Sequence, residues 1–203
     1  MDAEQMIAFA RSVHPLKSTF RYMETIPGRK ESTAEHSWRL ALFTHLTMTE
    51  LGFQKDAILH AITIALVHDL PEAKTGDIDA LLIYNGTIKK EDKHQNEKRA
   101  IQEIASTLSS PIKESVIALW NEYEMGKTKE ARIVKALDKI ETLLHVIDGH
   151  LEAINDPGFT AHYADTAVSQ CPELIPLLLV VKRELQKRYT SLECVWKNEY
   201  SII

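Results

Sequence analysis

The chain has 203 residues, 44% of them hydrophobic and 26% charged, enough to close one globular core. Its formal charge of −5 speaks against a nucleic-acid backbone as the main partner, because such a partner requires a basic face. A small anion stays open as a ligand, since a few local cations can overrule the global sign.

The N-terminus, "MDAEQMIAFARSVHPLK", is acidic before it is apolar and is not a secretory signal. The following stretch, "KSTFRYMETIPGRKE", reads as a loop broken at Pro27 and Gly28. Next, "STAEHSWRLALFTHLTMTELG" predicts a helix with both ends marked: Ser32 and Glu35 have capping-box spacing, and Gly52 suits a left-handed stop. The segment "KDAILHAITIALVHDLP" is apolar on nearly every side, which predicts a helix in the centre of a bundle. Pro71 forbids its continuation, so His68 and Asp69 fall in its last turn.

"KKEDKHQNEKRAIQEIASTL" carries only a thin apolar stripe of Ile101, Ile104 and Leu108. Its charge run from Lys89 to Arg99 reads as a solvated face or a lid. Pro111 opens another helix bearing Val116, Leu119, Trp120 and Tyr123. A long helix is expected from about Thr128, its stripe formed by Ile133, Leu137, Ile140, Leu144, Ile147 and Leu151. The last helix, "CPELIPLLLVVKRELQKRYTSL", is opened by Pro172, and its aliphatic run of eight residues is far short of the roughly 20 that cross a bilayer. Cys171 and Cys194 lack metal-type spacing and read as free thiols in a reducing cytosol. Trp38, Trp120 and Trp196 are expected to pack between helices. No segment alternates convincingly like a strand. The expectation is an all-α, single-domain, soluble and cytoplasmic protein.

Four ionisable groups, His68, Asp69, Glu72 and Asp77, crowd the end of the apolar helix. His36 lies on the same side of its helix as Leu40, Phe43 and Thr47. Asp138 sits roughly 100° from Leu137, at the edge of the long stripe. Singly, each has a bland explanation: a helical histidine is usually a satisfied core or surface group, and Asp138 could be solvated beside Lys135 and Lys139. Jointly, carboxylates at the mouth of a core cost several kcal/mol unless compensated. A divalent cation would compensate them, with two imidazoles and two carboxylates as its cage. On spacing alone both readings stand.

The motifs "AEH" at 34–36, "HD" at 68–69 and "KALDKIE" at 135–141 resemble the H…HD…D signature of the HD-domain metal-dependent phosphohydrolases. The fuller run "HDLPEAKTGDI" resembles the HD-domain 5′-deoxynucleotidases and their eukaryotic relatives, as do "LWNEYE" and "ARIVKALDKIE". The resemblance covers roughly residues 15–150. It implies an all-helical HD-domain bundle over residues 1–203, with a metal-binding core at about 30–150 and a C-terminal helix at about 172–192 packed on it. It implies a homodimer, and one divalent metal held by His36, His68, Asp69 and Asp138. Glu72 is implied to act on the attacking water. Arg21, fifteen residues before His36, is implied to orient the phosphate. The sugar is implied to meet Asp77 in a loop continuing through Asp79 and Ala80. Tyr22 stands where some members carry a Trp beside the sugar edge, a departure that bears on deoxyribose against ribose selectivity.

The implied reaction is hydrolysis of a (deoxy)nucleoside 5′-monophosphate to nucleoside and phosphate. Alternatives on the same site are a nucleoside triphosphate triphosphohydrolase, a cyclic-nucleotide phosphodiesterase, or a non-catalytic nucleotide-binding HD module; the last needs no Glu72. Two nitrogens and two oxygens, with no thiolate and with open positions, suit Mn²⁺, Co²⁺, Fe²⁺ or Mg²⁺ better than structural Zn²⁺. Two-metal members need extra histidines between the HD doublet and the final Asp, and only His94 lies there, in a helix where exposure is expected. Glu141 and His145 share a flank with Asp138 and read as a surface pair rather than as support behind the ligands. His14, His45, His60, His150 and His162 have no partner pattern.

Overall fold

The computed structural model describes residues 2–150 and 154–203; Leu151, the end of the expected long stripe, lies outside the described residues. Helix α1 (Ala3–Ser12) is capped by the Asp2 side chain, which accepts from Gln5 N. A short hairpin then replaces the expected loop, a small two-stranded addition to a fold that is otherwise helical as expected. Strand β1 (Phe20–Ile26) pairs antiparallel with β2 (Arg29–Ser32), Phe20 opposite Ser32 and Ile26 opposite Arg29. Gly28, at φ +77°, supplies the positive backbone angle between them. Inward and outward residues do alternate in β1: Arg21 and Met23 are buried, Phe20 and Tyr22 exposed. The alternation escapes a hydrophobicity pattern because one inward residue is an arginine.

Ser32 ends the hairpin and begins α2 (Thr33–Glu50) through the expected capping box with Glu35, whose carboxylate is gripped by Arg29 at 2.7 Å. Helix α3 (Lys55–Val67) packs along α2, and the short α4 (Glu72–Thr75) follows after Pro71. Next come α5 (Ala80–Tyr84), α6 (Lys90–Ala105) and α7 (Ile112–Met125). Helix α8 (Lys129–Asp148) contacts α2, α3, α7 and α11 (Ile175–Ser191); the short α9 (Pro157–His162) and α10 (Asp165–Ser169) lie between α8 and α11.

The central helix is α8, not α3 as its composition suggests. Ile133, Val134, Ala136, Leu137 and Ile140 are fully buried, whereas Leu59 and Leu66 of α3 are exposed. Helix α11 closes the core with Leu178, Val181 and Leu185, and a smaller cluster joins Val67, Ile101 and Trp120. Lys182 is buried and bridges Asp165 (2.8 Å) to the Ile202 carbonyl (2.8 Å), tying the C-terminal segment down. Trp196 packs on the rings of Tyr189 and Tyr200, but Trp38 does not pack between helices: it is 64% exposed on α2. Among the described residues no helix is long and apolar enough to cross a membrane.

Candidate metal centre and its cleft

His36 comes from the second turn of α2, His68 and Asp69 from the end of α3, and Asp138 from the middle of α8. The fold brings these three elements together. His36, His68 and Asp69 each point one donor atom to a common space, all within 4.8 Å of one another. Asp138 joins them, its Oδ1 lying 3.2 Å from His36 Nε2. His68 Nε2 is 3.0 Å and His36 Nε2 is 3.6 Å from Asp69 Oδ2.

The hydrogen bonds behind the rings decide what these atoms want. His68 Nδ1 faces the Ala65 carbonyl at 2.7 Å and can only donate to it. That leaves Nε2 with a bare lone pair, buried and without a hydrogen-bond partner. His36 Nδ1 lies between Glu141 Oε2 at 2.7 Å and Arg21 Nη1 at 2.6 Å, and its Nε2 faces the carboxylates of Asp69 and Asp138. His68 Nε2 and the Asp69 and Asp138 carboxylates are acceptors gathered around the same space, and a divalent cation there would convert their repulsion into coordination. Without one, His36 substitutes a proton: burial and Arg21 push its pKa down, but Glu141 and Asp138 outweigh them and raise it to about 10. The donor set fits one divalent cation.

Glu72 stands at the start of α4, buried, with Oε2 accepting from Thr33 Oγ1 at 2.9 Å. Burial, then the charges of Asp69 and Asp77, push its carboxyl well above the ordinary carboxylate range. Glu72 is therefore near Asp69 and outside the set of converging donors. It lines a cleft of ≈ 690 Å³ that opens onto the ligands. A second cavity of ≈ 230 Å³ adjoins the cleft and shares Arg21, Asp77, Ile78 and Ala80 with it; Tyr22 and Asp79 line the second cavity only. Arg21 is buried behind His36 with its donors engaged: Nη1 on Glu31 (3.2 Å) and Glu141 (3.0 Å), Nη2 on Thr142 (2.9 Å).

Known proteins resemble this chain over most of its length. The family description "HD domain" matches residues 13–166 of this chain. The chain belongs to the HD-domain family. It is 30% identical over 183 residues to the 5′-deoxynucleotidase HDDC2 of Mus musculus, covering 88% of this chain and 87% of that one. With the protein of the same name from Xenopus laevis it shares 32% over 158 residues, 77% of this chain and 74% of that one. The fold matches the solved structure of the "Predicted metal-dependent phosphohydrolase" of Magnetospirillum magnetotacticum (TM-score 0.61, 24% identity, 93% and 91% of the two chains). It also matches a Pyrococcus horikoshii protein (TM-score 0.68, 24% identity, 88% and 99%).

This HD domain contains more machinery than its motifs disclose. Glu141 and His145 are fully buried, which overturns the surface-pair reading. Glu141 backs His36, as the supporting partner of a ligating histidine does, while His145 Nδ1 lies 3.1 Å from Glu31. Tyr123 donates to Asp138 Oδ2 at 2.9 Å, and Lys139 pairs with the same oxygen at 3.1 Å. Glu31 escapes notice in the sequence because its stretch reads as a loop, and Tyr123 reads there only as part of a helix face. His94, expected to be exposed, is half-buried, stacked on Trp120 and bonded to Glu124. The charge run it belongs to is not simply solvated, since Lys90, Lys93, Glu97 and Lys98 line the cleft.

Proposed function

We propose that this HD domain is a phosphomonoesterase that hydrolyses deoxynucleoside 5′-monophosphates to nucleoside and phosphate, with residues 1–203 forming one domain. The observation that carries the reading is the gathering of His36, His68, Asp69 and Asp138 beside a buried, non-converging Glu72, at the mouth of a cleft with an adjoining cavity. The relatives named 5′-deoxynucleotidases support the substrate class. We assign the metal to those four ligands, with Mn²⁺, Co²⁺, Fe²⁺ or Mg²⁺ preferred over Zn²⁺ on donor chemistry. A bound divalent ion supplies Lewis-acid polarisation of the phosphoryl group and lowers the pKa of water.

The chain's own residues do the remainder. Glu72 orients the attacking water and takes its proton; water oxygen bonds to phosphorus as the bond to the sugar O5′ breaks, and the proton passes to that leaving oxygen. Arg21, on the wall shared by the cleft and the cavity, orients the phosphate and adds positive charge. Asp77 accepts from a sugar hydroxyl, with Asp79 and Ala80 beside it and Tyr22 at the sugar edge.

The test is phosphate release across nucleoside 5′-mono- and triphosphates with several divalent ions, and again after chelation. Monophosphates should be hydrolysed, chelation should stop the reaction, and Mn²⁺ or Co²⁺ should restore it. Release from triphosphates alone, or activity indifferent to chelation, ends the proposal. Comparing dAMP with AMP in the same panel reads the effect of Tyr22.

We assign the protein to the cytoplasm and to a homodimer. Helix α2 exposes Trp38, Leu42 and Leu46 at four-residue spacing, and α3 exposes Leu59 and Leu66. Such stripes favour cover by a second copy. Leu46→Glu should shift the mass measured by light scattering from dimer to monomer; a monomeric wild type would refute the assignment.

A further inference from the structure

The cleft over the metal ligands is lined by more cations than Arg21. Helices α6 and α8 contribute Lys90, Lys93, Lys135 and Lys139 in a chain whose net charge is −5. These lysines differ in how they are employed. Lys93 is paired with Glu97 one turn along α6. Lys139 is held by Asp138 and by the Tyr163 hydroxyl, each at 3.1 Å.

Lys135 and Lys90 form no ion pair with any described residue. The Lys135 ammonium lies 4.3 Å from the centre of the Tyr123 ring, whose hydroxyl in turn donates to Asp138 Oδ2. Lys135 precedes Asp138 by three positions on α8, so both occupy one flank of that helix. Burial holds the Lys135 ammonium below its ordinary pKa; the pulls of Glu124 and Asp138 oppose it, and the like charges of Lys139 and Lys90 add to it. Lys135 is half-buried and Lys90 exposed, and like-charged ammonium groups lining one cleft are stabilised by an anion placed between them. Arg21, by contrast, already has protein acceptors on both terminal nitrogens.

We propose that Lys135 of α8 and Lys90 of α6, converging on the cleft beside the Asp138 carboxylate, are ion-pair partners for the phosphate of the substrate and of the released product. The inference rests on the phosphomonoesterase reading and names a second source of charge for its phosphate. A dianionic monoester facing the metal on one side meets two ammonium groups on another. Arg21 then acts from behind His36.

The probe is inorganic phosphate, titrated calorimetrically into the Mn²⁺-loaded full chain. Lys135→Met should raise the phosphate Kd roughly tenfold or more, the loss expected for a hydrogen bond to a charged group. KM for a deoxynucleoside monophosphate should rise with it, kcat should change less, and Mn²⁺ affinity and Tm should hold. Lys135→Arg should restore most of the binding. Lys90→Met, at an exposed position, should act in the same direction and serves if Lys135→Met fails to fold.

Phosphate affinity unchanged in both Met variants overturns the inference. So does a shift matched by an equal loss of Mn²⁺ affinity, because the effect would then run through Asp138. Phosphate binding is read without turnover. A protein that binds phosphate through Lys135 and hydrolyses no nucleotide therefore fails only the proposed function, while an active enzyme indifferent to both variants fails only this inference.

Discussion

Glu72→Ala should cost roughly 10²–10⁴-fold in kcat, the range for a lost general acid–base group, with the metal still bound. The expectation follows from where Glu72 sits. Its carboxyl is buried beside Asp69 and Asp77, yet it is not among the atoms that converge for coordination. KM should move little, since the role proposed for Glu72 is toward the water and not the phosphate.

The same substitution carries an opposite expectation for stability. Burial and like charge raise the folded pKa of Glu72 above its unfolded value, so at neutral pH its ionisation penalises the folded, metal-free protein. That penalty is absent below the unfolded pKa and grows as pH rises through it. Metal-free Glu72→Ala should therefore melt no lower than metal-free wild type at pH 7. Unimpaired turnover would deny Glu72 its role, and lost Mn²⁺ affinity would make it a ligand.

The convergence of His36, His68, Asp69 and Asp138 was legible because each lies next to a strong local signal. His36 follows a capping box, the His68–Asp69 pair abuts a proline stop, and Asp138 edges a long apolar stripe. Each signal fixes the element and its face, and packing then has few ways to place the side chain. The hairpin was not legible, because Arg21 occupies an inward strand position and breaks the alternation that betrays a strand.

Composition misled in α3 for a related reason. It reports how apolar a helix is but not how far its neighbours wrap it, and Leu59 and Leu66 stay exposed. Glu141 was misread because a glutamate beside lysines and aspartates normally faces water. Only the crossing of β1, β2 and α2 over that flank of α8 brings Arg21, Arg39 and His36 onto it, and such long-range crossings leave no local trace.

Glu141→Ala should be the more damaging variant for the fold. Its Oε2 receives His36 Nδ1 (2.7 Å) and Arg21 Nη1 (3.0 Å), and its Oε1 receives Arg39 Nε (2.5 Å). Truncation strips a fully buried carboxylate from between cations, and breaking such a pair costs roughly 3–5 kcal/mol. His36 would also lose the carboxylate that holds its ring, and losing such a partner behind a ligating histidine typically lowers metal affinity roughly 10–100-fold. Glu141→Gln keeps the shape but turns an NH₂ group toward donors, so it should recover only part of either loss.

The pH dependence follows from the direction of the shift. Burial alone would raise the Glu141 pKa, but His36, Arg21 and Arg39 outweigh it and hold the carboxyl well below its ordinary range. Its contribution is therefore complete above the unfolded carboxylate pKa and is withdrawn as pH falls toward the folded one. Denaturant midpoints of metal-free protein should show wild type losing its advantage over Glu141→Ala as the solution is acidified. Equal midpoints at pH 7 together with wild-type Mn²⁺ affinity would mean that Glu141 neither braces the core nor fixes His36.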